Sequence, residues 1–152
     1  MSLSYREANL ADEDLYLIWA NDDEVRSNAF NTQKIKSEDH HRWFGKKLQD
    51  GDALMLVFSD QNNIPVGQVR IDKGDYWQVD VSIDKNHRGK GFGVQMLKLS
   101  LIEFSKKIGK NIAVYSLIKK QNIASVRIFE KAGFVLDASE ESKDFYKYIF
   151  VS

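Results

Sequence analysis

The 152 residues carry 22 basic and 22 acidic side chains, no cysteine, 43% hydrophobic residues and 12% aromatics. That is enough chain for a single domain with a core, and the balanced charge gives no field to hold nucleic acid or an anionic membrane. Lack of cysteine excludes disulfides, a thiol nucleophile and thiolate-ligated metal and fits a reducing, cytoplasmic setting, while no apolar run approaches the roughly 18 residues of a membrane helix.

In chain order, Leu3–Ala8 reads as a first strand. Asn9 is placed to cap a helix over about Ala11–Ala20, whose first turns hold Asp12, Glu13 and Asp14, favourable at the positive end of a helix. Ser37 is the expected cap of a second helix that offers Trp43, Phe44 and Leu48 for burial. Ala53–Ser59 is a mostly apolar strand. The turn residues Asp60-Gln61-Asn62-Asn63 predict a hairpin to Pro65–Asp72, and Gly74-Asp75 turns the chain again into a third strand over Tyr76–Asp84. Val94, Leu97, Leu101, Phe104 and Ile108 step by three and four, the stripe of a core-facing helix that ends at Gly109. A strand over Ile112–Ile118, a helix capped by Asn122, and an antiparallel pair from Phe134–Ala138 and Phe145–Val151 close the chain. Three consecutive antiparallel strands followed by strand–helix–strand imply a mixed α+β fold: one largely antiparallel sheet of about seven strands with about four helices on its faces.

Between the third strand of the meander and the long helix lies Arg88-Gly89-Lys90-Gly91-Phe92-Gly93. A glycine-rich turn from strand into helix gathers main-chain N–H groups and the positive helix end at one point, and glycine permits positive φ and close approach of a ligand. Phosphate or pyrophosphate is the natural occupant, and Arg88 and Lys90 add cations there. The spacing is not that of a dinucleotide fingerprint, since Val94 stands where the third glycine is needed, and no P-loop run is present.

Arg88-x-x-Gly91-x-Gly93 resembles the acetyl-CoA signature Gln/Arg-x-x-Gly-x-Gly/Ala of the GCN5-related N-acetyltransferase (GNAT) superfamily. Further on, Asn122-Ile-Ala-Ser125-Val-Arg-Ile-Phe129-Glu-Lys131-Ala-Gly133-Phe134 resembles that family's later motif, with room between the two for one helix and one strand. The resemblance covers nearly the whole chain. It implies a GNAT-like fold, acetyl-CoA as cosubstrate, and a single domain over residues 1–152. It implies further that Arg88, Gly89, Lys90, Gly91, Phe92 and Gly93 hold the pyrophosphate, that Val81, Ser82 and Ile83 face the pantetheine arm, and that Asn122, Ser125, Phe129 and Lys131 border it.

Acetyl transfer to an amine needs a proton acceptor, a donor to the thioester oxygen and a proton for the leaving thiolate. Asp80 and Ser82 share one face of their strand, so Asp80 is the candidate base, directly or through water, with a solvated strand aspartate as the plainer reading. His87 is placed to border the phosphates or solvent. The family commonly has tyrosine at the position of Phe129, which has no proton to give. Tyr115 and Ser116 on the next strand are then candidate acids, with water or the acceptor as alternatives.

The acceptor should be read by the first third of the chain. Trp19-Ala-Asn21-Asp22…Val25-Arg26-Ser-Asn28-Ala29-Phe30, followed by His40 or His41 and Trp43-Phe44, resembles the acetyltransferases of nucleotide-linked amino sugars in pseudaminic-acid-type synthesis. It departs in having Asn28-Ala29-Phe30 where a serine commonly precedes the phenylalanine. That resemblance implies a UDP-linked 4-amino sugar, with Asn21, Arg26, Phe30, His41 and Trp43 as its contacts; core packing is the plainer role of most of the aromatics. Alternatives are a protein N-terminal or ribosomal-protein acetyltransferase, disfavoured by Leu117 where a glutamate is often found, and a non-catalytic acyl-CoA-binding module. No residue spacing suits a metal. The expected partner is a small-molecule amine, with a homodimer left open.

Overall fold

The computed structural model of the chain describes residues 2–139 and 142–152. Strand β1 (Ser4–Glu7) leads to a capping box: the Asn9 side chain accepts the Ala11 N–H, and Asp12 accepts the Asn9 N–H. A single 3-10 turn, Leu10–Asp12, then enters helix α1 (Glu13–Ala20). Arg6 grips Asp12 through two bonds of 2.7 and 2.8 Å. That hydrogen-bonded guanidinium holds the Asp12 carboxyl below the usual carboxylate range against the opposing effect of burial.

The short helix α2 (Asp23–Asn28) has no counterpart in the hydrophobic pattern, because it buries none of its residues. Its cap creates it: Asp22 accepts the Val25 N–H at 3.2 Å. Helix α3 (Ser37–Leu48) follows; Ser37 is its first helical residue and Lys36 occupies the cap position without a side-chain bond. The meander is β2 (Ala53–Ser59), β3 (Pro65–Lys73) and β4 (Trp77–Ile83). Helix α4 (Phe92–Lys107), β5 (Ala113–Lys119), α5 (Ile123–Lys131), the two-residue β6 (Val135–Leu136) and β7 (Phe145–Val151) complete the chain. The described residues thus hold five α-helices, the unanticipated α2 being the fifth.

All seven strands join one sheet in the order β1-β2-β3-β4-β5-β7-β6, antiparallel except at β4/β5. Alternation along the strands builds a core on each face. Leu54, Leu56, Phe58, Val69, Ile71, Trp77 and Val79 meet Phe92, Met96, Leu97, Leu101 and Phe104 of α4 and Phe129 of α5. Met55 and Val57 meet Tyr16, Trp19 and Phe44 of α1 and α3 on the other face. Each such large apolar side chain, buried, contributes about 1.5–3 kcal/mol.

One glycine sets how closely the layers approach. A Cβ on Gly67 of β3 would stand 2.4 Å from the Ser82 carbonyl oxygen and 2.7 Å from the Met96 Cε. The first of these is main chain and cannot step aside. Gly67→Ala is therefore expected to lower stability by about 3 kcal/mol, read as a shifted urea midpoint; an unshifted midpoint would show that the sheet can open there freely.

Candidate active site

The site begins where two strands part. β4 and β5 pair only at Trp77–Val114 and Gln78–Tyr115, although both continue beyond. β4 stays zipped to β3 as far as Gly67–Ile83, and the Asp84 N–H still reaches the Val66 carbonyl at 2.7 Å. Since neighbouring strand residues present their N–H and C=O to opposite sides, Val81 and Ile83 turn theirs towards the gap, while Ser82 turns its own towards β3. The splay leaves the main-chain N–H and C=O of Val81 and the N–H of Ile83 available at the edge of a cavity of about 680 Å³, the Ile83 carbonyl being taken by Arg88 Nε. Ser82, Ser116, Asn122, Ser125 and Phe129 also line it.

At the mouth of the gap, Gly89 and Gly91 hold φ of +75° and +80°, the left-handed region that disfavours any side chain. No atom lies within 4 Å of the place a Cβ would occupy on either. Gly91 is the N-cap of α4, so the turn is a bare main-chain concavity at the positive end of a 16-residue helix. It fits a pyrophosphate. Gly93 has a different reason: its Cβ would fall 2.7 Å from Ile128 Cδ1 and 2.9 Å from Ile83 Cδ1, so it lets α4 close on α5 and β4. Phe92 is buried in the core and offers a ligand only its main chain, while Lys90 and Lys131 are exposed.

Arg88 already has protein partners. Its guanidinium is held by Asp22 at 2.7 Å and Glu24 at 2.6 Å, with Nε on the Ile83 carbonyl at 3.1 Å. Burial raises the Asp22 carboxyl, but the Arg88 bond and the capping N–H groups of α2 outweigh it and leave it lowered. A second link lies beside the first. Trp19 Nε1–H donates to Asp84 at 3.1 Å, and the same carboxylate holds His87 Nδ1 at 3.0 Å. The signature arginine therefore fastens the α1–α2 corner to the segment that carries the glycine turn. His87, held this way, packs beside Phe92 and does not line the cavity.

The cavity continues under α1 and α3. Its floor on this face is Gln68, Arg70, Asp80 and Ser82, alternating with core residues on β3 and β4. Its roof includes Tyr16, Trp19, Asp39, His40 and Trp43. Gln68 Nε2 donates to Asp80 Oδ2 at 3.1 Å and Ser82 Oγ at 3.3 Å. Asp80, with its side chain about half exposed at 53%, borders the cavity 4.0 Å from Arg70 Nη1.

Other residues singled out from sequence lie elsewhere. Tyr115 sits edge-on to Tyr76 at 5.0 Å, under the Lys147 ammonium, and does not line the cavity. The serine beside it, Ser116, does. Asn21 clamps Ile35 through both its amide atoms. Phe30 is 58% exposed against Phe145, and His41 is on the outer face of α3, bonded to Glu13. Its neighbour His40 is the one turned inward, in line with Trp43 and Phe44 at the three- and four-residue steps of a helical face. Arg26 lines the wall, but its Nε is on the Ala20 carbonyl at 2.6 Å and its Nη1 on the Asn31 carbonyl at 3.0 Å. Gln68, Arg70 and Tyr16 were not singled out. Polar residues two apart on an otherwise apolar strand, as Gln68 and Arg70 are, were the signal for the floor.

Residues 2–135 match the acetyltransferase (GNAT) domain family, and the chain belongs to it. It is an N-acetyltransferase of an amine, and acetyl-CoA is its acetyl donor. An L-methionine sulfoximine/L-methionine sulfone acetyltransferase of Pseudomonas paraeruginosa is 29% identical over 144 residues, covering 88% of this chain and 81% of that protein. The protein of the same description from Salmonella typhimurium is 25% identical over 118 residues, covering 72% of this chain; the chain spans 66% of that relative. Among solved structures, spermidine N-acetyltransferase from Vibrio cholerae, with CoA and spermine, superposes at a TM-score of 0.82. It is 19% identical, with 98% of this chain and 95% of that one covered.

Phe129, 4% exposed and edge-on to Phe134 at 4.9 Å, is part of the core and of the cavity wall at once. A thiolate whose conjugate acid has a pKa near 8.5 leaves tolerably without a tyrosine beside it, so Phe129→Tyr is expected to change kcat by less than about tenfold. A larger gain in steady-state turnover would show that the native chain lacks a competent acid.

Proposed function

We propose that this chain acetylates the primary amine of a small acceptor bound between α1–α3 and the floor of β3 and β4. The observation that carries the reading is the continuity of one cavity from the β4/β5 gap to Asp80. Acetyl-CoA supplies an activated acetyl thioester. The Gly89–Gly93 main chain binds its pyrophosphate, Val81 and Ile83 bond its pantetheine arm, and the Val81 N–H polarises the carbonyl as negative charge develops on oxygen. Asp80 accepts the proton the attacking amine must lose, directly or through one water. Ser82, bonded to the same Gln68 amide as Asp80, orients it. Asn122 caps α5 through the Ser125 N–H at 3.3 Å, placing Ser125 along the pantetheine channel.

For the acceptor, the succession from Trp19 to Phe44 supports a UDP-linked 4-amino sugar. Its stacking face is Trp43, and Arg70 takes the phosphate role first assigned to Arg26, whose Nε and Nη1 are bonded to main-chain carbonyls. An amino-acid analogue is the second reading, favoured by the activity named for the curated relatives and by the Arg70–Asp80 pairing across two strands. A polyamine is less suited. Glu24, Asp39 and Asp80 in the lining are matched by Arg26, Arg70, Arg88 and Lys119, so the wall has no anionic excess to attract a polycation. The test is thiol release from acetyl-CoA with a UDP-linked 4-amino sugar, L-methionine sulfone, spermidine and an N-terminal peptide. Release with one of the small amines supports the reading, and release with the peptide alone rejects it.

A further inference from the structure

Three buried polar side-chain atoms in the acceptor chamber make no hydrogen bond, and two of them are donors. Arg70 lies across the Trp43 ring, 5.0 Å from its centroid, so the plane of its guanidinium is set by stacking. Its Nε is buried without a hydrogen-bond acceptor. It is ion-paired with Asp72 at 3.4 Å, but the same carboxylate oxygen is held more closely by Lys47 at 2.8 Å. Asp80 stands 4.0 Å from Nη1, beyond hydrogen-bond reach, and takes the Gln68 amide instead. Among the described residues Arg70 donates no hydrogen bond, although a guanidinium carries five N–H donors. Tyr16 is 4% exposed and its hydroxyl has no partner. Burial first, then the charges of Asp12 and Asp80, raise its phenol far above the usual range, so it remains a protonated donor. The third atom, Gln68 Oε1, is an acceptor.

A planar fork with loose ion pairs but no hydrogen bond and a phenol O–H without a partner, side by side in one cavity, call for a ligand rich in acceptor atoms. We infer that Arg70 and Tyr16 form an oxyanion subsite, and that the acceptor is an amine carrying a carboxylate or phosphate. This rests on the acetyl-transfer reading above and narrows its acceptor. The register pairs Arg70 with Asp80 on the adjacent strand, so the anionic group is held by β3 while the amine is presented to Asp80 on β4. Gln68 Oε1 accepts from a ligand N–H or O–H between them.

The experiment compares matched acceptors in the full chain: L-methionine sulfone against its carboxamide, and a UDP-linked 4-amino sugar against the free 4-amino sugar, with spermidine as the polycation. The charged member of one pair should be preferred by at least about tenfold in kcat/KM, as expected for a charge-assisted bidentate contact. Which pair responds separates carboxylate from phosphate. Arg70→Met should abolish that preference by raising the acceptor KM, Arg70→Lys should restore part of it, and Tyr16→Phe should reduce it. Acetyl-CoA affinity, titrated without acceptor, should hold in all three variants and reports an intact fold. Equal use of charged and neutral members, spermidine as the best acceptor, or an unchanged preference in Arg70→Met would overturn the inference. So would failure of every anionic acceptor with acetyl-CoA still bound. Failure of the native chain to bind acetyl-CoA would instead overturn the donor reading beneath it.

Discussion

Asp80→Asn is expected to lower kcat by about 100-fold, the scale of a lost general base, while acetyl-CoA binds as before. The two halves of that result follow from where Asp80 sits. Its carboxylate lines the chamber proposed for the acceptor, on the β4 face opposite the α4 core, and does not contribute to the glycine turn. Asparagine keeps the size and can still accept the Gln68 amide that now reaches Asp80 at 3.1 Å, so the floor stays assembled. What is lost is the group proposed to take the ammonium proton. Pre-steady-state acetyl transfer and a separate acetyl-CoA titration measure the two halves. Native turnover in Asp80→Asn would assign the base elsewhere.

Gly91→Asp should weaken acetyl-CoA binding by about 100-fold or more, roughly 2.7 kcal/mol. The position has space for a side chain, with no atom within 4 Å of its Cβ, so the effect on packing is small. Its φ of +80° costs a side-chain-bearing residue about 1–2 kcal/mol, which Gly91→Ala shares. The carboxylate is the difference between the two, set against a diphosphate at the start of α4. Calorimetric titration of both variants, with their urea midpoints, separates repulsion from strain. Native affinity in Gly91→Asp would remove the pyrophosphate from this turn.

Most of the sheet and four of the five helices were legible, because each buries an apolar face whose period is written in the chain. Helix α2 was not, since it buries no residue and exists through the Asp22 cap. The glycines at 89 and 91 marked left-handed backbone in the turn before α4, a property only their residue type could announce. Side-chain destinations were harder. Arg88 sits in the signature, yet its partners are Asp22 and Glu24, more than sixty residues away in sequence, and no local pattern reports such a pairing. Arg26 looked available for a phosphate, but its loop folds back and uses it to satisfy the carbonyls of Ala20 and Asn31. His41 and His40 differ by a rotation of about 100° on one helix, so the Trp43–Phe44 phase decides between them. Tyr115 shares a strand with Ser116, but adjacent strand residues face opposite ways, and Ser116 alone of the two lines the cavity.

The Arg88 and Trp19 links have a further consequence for the chemistry. They tie the roof of the cavity under α1 and α3 to the strand end that leads into the glycine turn, through Asp22, Glu24 and Asp84. The proposed sites of the two substrates thus share one connected set of contacts.

Amide hydrogen exchange with and without saturating CoA tests the donor geometry most directly. Protection should appear at Val81 and Ile83, whose N–H groups face the β4/β5 gap, and over Gly89–Gly93 at the head of α4, with the hairpin of β2 and β3 unchanged. Protection confined to other parts of the chain, with those two stretches exchanging as in the free protein, would contradict the account.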